Sequence, residues 1–226
     1  MNLIRGERCL DAQGFVLAGG QSSRMGRDKA LVELGGQPLI SRAVAILRDA
    51  GLDVAIAGSR SALDAYAPVV ADDEPGWGPL SGICAALRST SARWAVFLSV
   101  DLPLIPAGII TYLLAHAHMT GGSVTLASVN GYPQTFPAVV LRGALPVFQD
   151  ELRGGGRGCF SAFKAAAAAR EESVSILPIE LLVQAGQVFH AAALPPARWF
   201  LNINSEADLR RAADSLPSES CKLNEG

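Results

Sequence analysis

Charge is scarce in this chain, and long apolar runs are missing altogether. Only 18% of the 226 residues are charged while 50% are hydrophobic, a balance that excludes global disorder and supports a sizeable core. Nineteen basic against 21 acidic residues give a formal net charge of −2, so the basic field needed for sequence-independent nucleic-acid binding is absent. An anionic partner must therefore be held locally. No apolar run approaches the roughly 20 residues that span a bilayer, which argues against a membrane partner. The N-terminal MNLIRGERCLDAQ carries charges where a signal peptide needs its apolar stretch, and a cytoplasmic location is the expectation. Cys9, Cys84, Cys159 and Cys221 have no two-residue spacing, which suits neither a zinc knuckle nor a redox pair. His116, His118 and His190 assemble neither a zinc centre nor a Ser-His-Asp triad and read as surface or packing residues.

What the chain does have is a repeated phrase of short β-rich run, Gly- or Pro-bearing loop and amphipathic helix. Strands are expected at 14–18, 54–57, 69–71, 94–100, 123–129, 138–141 and 174–177. Helices are expected at 38–50, 79–88, 106–116, 144–152, 161–170 and 205–212. Pro38, Pro79 and Pro106 mark helix starts, and Ser205 with Asp208 resembles a capping box. Apolar runs such as WAVFLSV imply burial on both faces, so the fold class is α/β with a mainly parallel sheet flanked by helices. One domain over 14–216 is expected, after an N-terminal extension of 1–13 and before a short polar tail of 217–226.

Ligands on open α/β sheets bind beyond the carboxyl ends of the strands. The first strand is followed there by FVLAGGQSSRMGRDKAL, residues 15–31. Gly19, Gly20 and Gly26 let backbone N–H groups approach an anion, and Arg24, Arg27 and Lys29 add three cations in six positions. The spacing is neither G-x-G-x-x-G nor that of a P-loop, and Arg24 breaks a G-x-S-x-G elbow. A plain glycine-rich turn with a solvated basic edge is the competing reading. Asp101 closes the most apolar run; it is either a hard ligand for Mg²⁺ or an aspartate turn before Pro103. Asp72 opens the acidic run Asp72-Asp73-Glu74, a nucleotide contact or a solvated loop. Asn202 and Asn204 alternate along an extended segment, so their amides are expected on one side.

The loop's order, Leu17 to Gly20, Ser22 to Gly26, Asp28 and Lys29, closely resembles the L-A-G-G-x-S-S-R-M-G-x-D-K of molybdenum cofactor guanylyltransferases. Asp72, Pro75 and Gly78-Pro79-Leu80-Ser81-Gly82 are similar to that family's D-x-x-P-x-x-G-P-L-A-G. Ser99-Val100-Asp101-Leu102-Pro103 and Phe200 to Ser205 extend the likeness from residue 14 to about 212. The resemblance implies a Rossmann-like, three-layer nucleotide-diphospho-sugar transferase fold with a mixed sheet. It implies GMP transfer from GTP to the phosphate of molybdopterin, with release of pyrophosphate. Arg24, Lys29 and Asp101 would be catalytic, and Asp101 would hold Mg²⁺. Leu17, Ala18, Gly19, Gly20, Lys29, Asp72, Gly78, Pro79, Leu80 and Asp101 would contact the nucleotide, and Asn202 and Asn204 the acceptor. Accessory proteins or a molybdoenzyme are implied as partners, with no signal for an oligomeric state. Departures lie at Ala57-Gly58-Ser59, where relatives often place asparagine near the base, and at Thr135-Phe136-Pro137 in the acceptor region. The competing functions are a cytidylyltransferase, a sugar-phosphate nucleotidylyltransferase, and a catalytically weak nucleotide- or partner-binding protein.

Overall fold

The computed structural model describes residues 11–18, 28–58, 61–72, 77–156 and 158–216. In chain order these form β1 (Ala12–Leu17), β2 (Glu33–Leu34), β3 (Gln37–Pro38), α1 (Leu39–Asp49), β4 (Asp53–Ala57), β5 (Val69–Val70), α2 (Pro79–Ser89) and β6 (Trp94–Ser99). Then follow α3 (Ala107–Thr120), β7 (Val124–Val129), β8 (Tyr132–Leu141), α4 (Leu145–Arg153), α5 (Cys159–Ala168), β9 (Ser175–Pro178), α6 (Ile179–Gln184), α7 (Pro196–Trp199) and α8 (Glu206–Ala213).

Seven strands make one sheet in the order β5-β4-β1-β6-β8-β7-β9. Every pairing is parallel except those of β8, which runs against both β6 and β7. The sheet is thus mainly parallel and mixed. Strand order turns at β1, with β4 and β5 to one side and β6 to the other, and such a reversal opens a crevice at the carboxyl ends.

Alternation along the strands divides the core between the two faces. Val16, Ile56, Val96 and Leu98 pack with α1 and α3 through Ile40, Val44, Leu47, Ile109 and Leu113. Phe15, Leu17, Ala57 and Phe97 pack on the other face with Leu80, Ile83, Phe148 and Phe163 from α2, α4 and α5. The alanine-rich stretch of α5 buries Ala166 and Ala167, a packing role that small helix formers suit.

The elements differ from expectation at instructive places. β8 begins at Tyr132 rather than 138, directly after a turn in which Asn130 and Gly131 both have positive φ. Pro133 and Pro137 disguise this strand, yet β6 pairs only with Ala138 to Leu141. The β7 pairing is interrupted between Gln134 and Ala138, so the prolines interrupt little of the ladder. β2 and β3 form an unexpected hairpin around Gly35 and Gly36, at φ +55° and +69°. α3 runs on to Thr120, where Gly121 in the left-handed region ends it. α6 is a further unexpected helix, entered from Pro178 and burying Ile179 and Leu182.

Candidate active site

β6 ends in a tight turn. Leu102 N–H donates to the Ser99 carbonyl at 3.2 Å, and Val100 N–H ties the strand end to the Leu17 carbonyl of β1 at 3.2 Å. Asp101 emerges from that turn at the carboxyl end of the sheet, with its own carbonyl accepting from Ile203 N–H at 3.0 Å. Lys29 arrives from the other direction, on a short 3₁₀ turn, Lys29–Leu31, whose start is capped by the Asp28 carboxylate accepting from Ala30 N–H at 3.1 Å.

The two side chains meet. Lys29 Nζ lies 2.8 Å from Asp101 Oδ2, and each side chain is 18% exposed. The same ammonium donates to Asn204 Oδ1 at 2.7 Å. The other carboxylate oxygen, Asp101 Oδ1, accepts from Ser99 Oγ at 2.5 Å, within the roughly 2.5–2.7 Å typical of a hydroxyl on an ionised carboxylate.

Asn204 is held in turn by the start of α8. Its N–H donates to Asp208 Oδ2 at 3.1 Å, the Ser205 hydroxyl donates to the same oxygen at 2.7 Å, and Asp208 N–H donates back to Ser205 Oγ at 3.2 Å. Arg211 closes on Asp208 Oδ1. The Ser205 hydroxyl, then the Asn204 N–H, hold the Asp208 carboxyl below its ordinary range.

The other expected contacts distribute unevenly. Ala18 N–H donates to the Ala57 carbonyl at 3.1 Å, and with the bond to the Leu17 carbonyl this anchors the entry of the glycine-rich loop in the sheet. Gly19, Gly20 and Arg24 lie outside the described residues, as do Cys9 and Cys221. Gly78 caps α2 at φ +80°, a conformation that favours glycine, with Pro79 as the first helical residue. Gly78 and Pro79 are exposed, whereas Leu80 is fully buried, backbone included. Asp72 follows β5 and lies over α2: a Cβ on Gly82 would come within 3.3 Å of its Oδ1. Asn202 is exposed while Ile203 between the two asparagines is buried, and it is Asn204 that reaches Lys29.

Two of the three histidines pack, and His118 is exposed. His116 Nε2 is 2.8 Å from Ser175 Oγ, and His190 stacks on Trp199 at 6.1 Å between ring centroids. Cys84 and Cys159 are buried thiols in no disulfide, and burial pushes the Cys159 thiol up to about 12. Among the described residues no three His, Cys, Asp or Glu side chains gather as a ready-made metal cage, and no helix is long and apolar enough to cross a membrane. A cavity of about 420 Å³ lies beside the Lys29 turn, lined by Asp28, Leu31, Val32, Glu33, Glu206 and Leu209. A larger one of about 700 Å³, beside Asp11, Arg93 and Arg142, lies at the opposite end of the sheet from Asp101. Strand topology and the convergence on Asp101 mark the carboxyl end as the site. Ser99 is the one participant that sequence reasoning passes over; its signal is a hydroxyl two residues before a strand-end aspartate.

Residues 14–177 match the MobA-like NTP transferase domain. The chain belongs to this family. It is 31% identical over 206 residues, 87% of this chain and 90% of the relative, to a probable molybdenum cofactor guanylyltransferase of Haloferax mediterranei. It is 36% identical over 149 residues, 63% of this chain and 77% of the relative, to the molybdenum cofactor guanylyltransferase of Pseudomonas putida. In fold it is similar to the molybdopterin-guanine dinucleotide biosynthesis protein A of Archaeoglobus fulgidus, with a TM-score of 0.71 at 22% identity over 89% of this chain and 97% of that one. As a MobA-like NTP transferase the chain is a nucleotidyltransferase. The family match ends before Asn204, so the Lys29–Asn204 bond ties the C-terminal segment to the matched region.

Proposed function

We propose that the chain transfers GMP from GTP to the phosphate of molybdopterin, forming the guanine dinucleotide and releasing pyrophosphate. The observation that carries the chemistry is the Lys29–Asp101 pair at the carboxyl end of β1 and β6. The names of the relatives supply donor and acceptor.

In this reading an acceptor phosphate oxygen attacks the α-phosphorus of GTP in line, a P–O bond forms, and the bond to the bridging oxygen of pyrophosphate breaks. No protein nucleophile is needed, because positioning and charge neutralisation carry phosphoryl-type transfers. Lys29 and Arg24 would hold the triphosphate and the leaving pyrophosphate, with Gly19 and Gly20 as further nucleotide contacts by the likeness of the loop motif. Gly78, Pro79 and Asp72 line the nucleotide side. Asn202 faces the acceptor.

The donor chemistry fits a hard divalent cation. A carboxylate oxygen and an amide oxygen already converge on one positive charge, the Lys29 ammonium, and oxygen ligands with few protein donors suit Mg²⁺. Asp101 is the residue that would hold it. A divalent ion held there would supply charge neutralisation for the transfer. Lys29 would then exchange its contact with Asp101 Oδ2 for the triphosphate while keeping Asn204 Oδ1 as its partner.

Competition binding with GTP, CTP, ATP and UTP tests the donor. GTP should bind tightest; tighter binding of CTP would move the protein to the cytidylyl branch.

A further inference from the structure

The two oxygens of Asp101 have different partners. Oδ2 meets a cation that can be exchanged, whereas Oδ1 meets Ser99, the last residue of β6, which is fixed by its place in the sheet. The turn explains the meeting. Leu102 N–H on the Ser99 carbonyl folds the chain back, which brings the hydroxyl of the first turn residue onto the carboxylate of the third. Ser99 itself pairs with Leu17 of β1, so the hydroxyl is anchored to the most central part of the sheet.

We propose that Ser99 is a positioning residue for Asp101. A carboxylate at a chain turn rotates about χ1 and χ2 among several wells, and a cation facing it meets one orientation only part of the time. The Ser99 hydroxyl removes that freedom by a charge-assisted bond to Oδ1, leaving Oδ2 aimed at the place where Lys29 now sits and where a divalent ion would sit. The hydroxyl donates its only proton to Asp101 Oδ1, and this contact is the one through which it acts. Partners of this outer kind set metal affinity through the ligand they orient. The inference rests on Asp101 being the metal-holding carboxylate.

The test is GTP affinity of the full chain measured with and without Mg²⁺, in wild type, Ser99→Ala, Ser99→Thr and Asp101→Asn, beside melting curves. Ser99→Ala should leave metal-free GTP affinity unchanged and reduce the Mg²⁺-dependent gain by roughly 10-fold, as loss of an outer-shell partner does. Ser99→Thr, which keeps the hydroxyl, should restore the gain. Adding Ser99→Ala to Asp101→Asn should change nothing further, because the two act as one unit. If Ser99→Ala does not fold, Ser99→Cys, similar in size with a weaker donor, takes its place. A wild-type-sized gain in the Ser99 variant overturns this proposal alone, whatever its melting temperature. No gain in the wild type overturns the metal reading of Asp101 and this proposal with it.

Discussion

Lys29 and Asp101, 72 positions apart in sequence, form an ion pair of 2.8 Å at the end of β6. The pair brings the glycine-rich loop's last cation onto the strand-end carboxylate. A metal ion held at Oδ2, as proposed, would take the place of the ammonium, so the two would compete.

Lys29→Met removes the competitor and the phosphate cation together. Turnover should fall roughly 10²-fold, the scale of losing one electrostatic donor to developing charge. Mn²⁺ binding, followed by electron paramagnetic resonance in the presence of nucleotide, should become tighter. With each side chain only 18% exposed, loss of the ammonium leaves the Asp101 carboxylate uncompensated, so the melting temperature should fall, not rise. Weaker Mn²⁺ binding would contradict the exchange.

Asp101→Asn keeps shape and one oxygen while removing charge. GTP should bind without metal much as in wild type, yet the Mg²⁺-dependent gain and most turnover should vanish. Loss of stability with an intact response to Mg²⁺ would make Asp101 a turn brace before Pro103.

Much of this architecture is legible in the sequence because buried parallel strands are written as apolar runs: β1, β4, β6 and β7 fall within a residue or two of expectation. Asp101 is legible for a related reason, being a polar residue placed just where such a run stops, and Lys29 is legible as a cation of the glycine-rich loop that follows β1. The Lys29–Asn204 bond is not legible, since it spans 175 positions and depends on how Asp208 secures the start of α8. The front of β8 is hidden by Pro133 and Pro137, whose cost depends on which neighbour is paired there. The β2–β3 hairpin had a signal in Gly35-Gly36, the pair that tolerates positive φ at both turn positions.

Glu172 braces the start of β7 by accepting from both Ser123 N–H, at 2.9 Å, and Ser123 Oγ, at 3.0 Å. Ser123 is fully buried, so Glu172→Ala should destabilise by about 1–3 kcal/mol, the cost of unsatisfied buried polar groups. Chemical denaturation measures this; a change under about 0.5 kcal/mol, the range of an ordinary surface substitution, would assign the brace no weight.

His190 lies beside Leu104 and Trp199, and burial holds its imidazole below the ordinary histidine range against an opposing hydrogen bond that it makes to the Leu104 backbone carbonyl. The unfolded chain therefore takes up this proton more readily than the folded one. Stability linked to His190 is complete above its ordinary value of 6.5 and is lost as pH falls through that value toward the folded one. Melting temperatures from about pH 8 to about pH 5 should decline in wild type and decline less in His190→Gln. Parallel profiles would sever the link.

The most direct measurement of the whole account is pyrophosphate release from the purified chain, supplied with molybdopterin, Mg²⁺ and each nucleoside triphosphate in turn. The account predicts release that requires molybdopterin and Mg²⁺ together, fastest with GTP and lost in Asp101→Asn. Release that is fastest with CTP, or that proceeds equally well without molybdopterin, would contradict it.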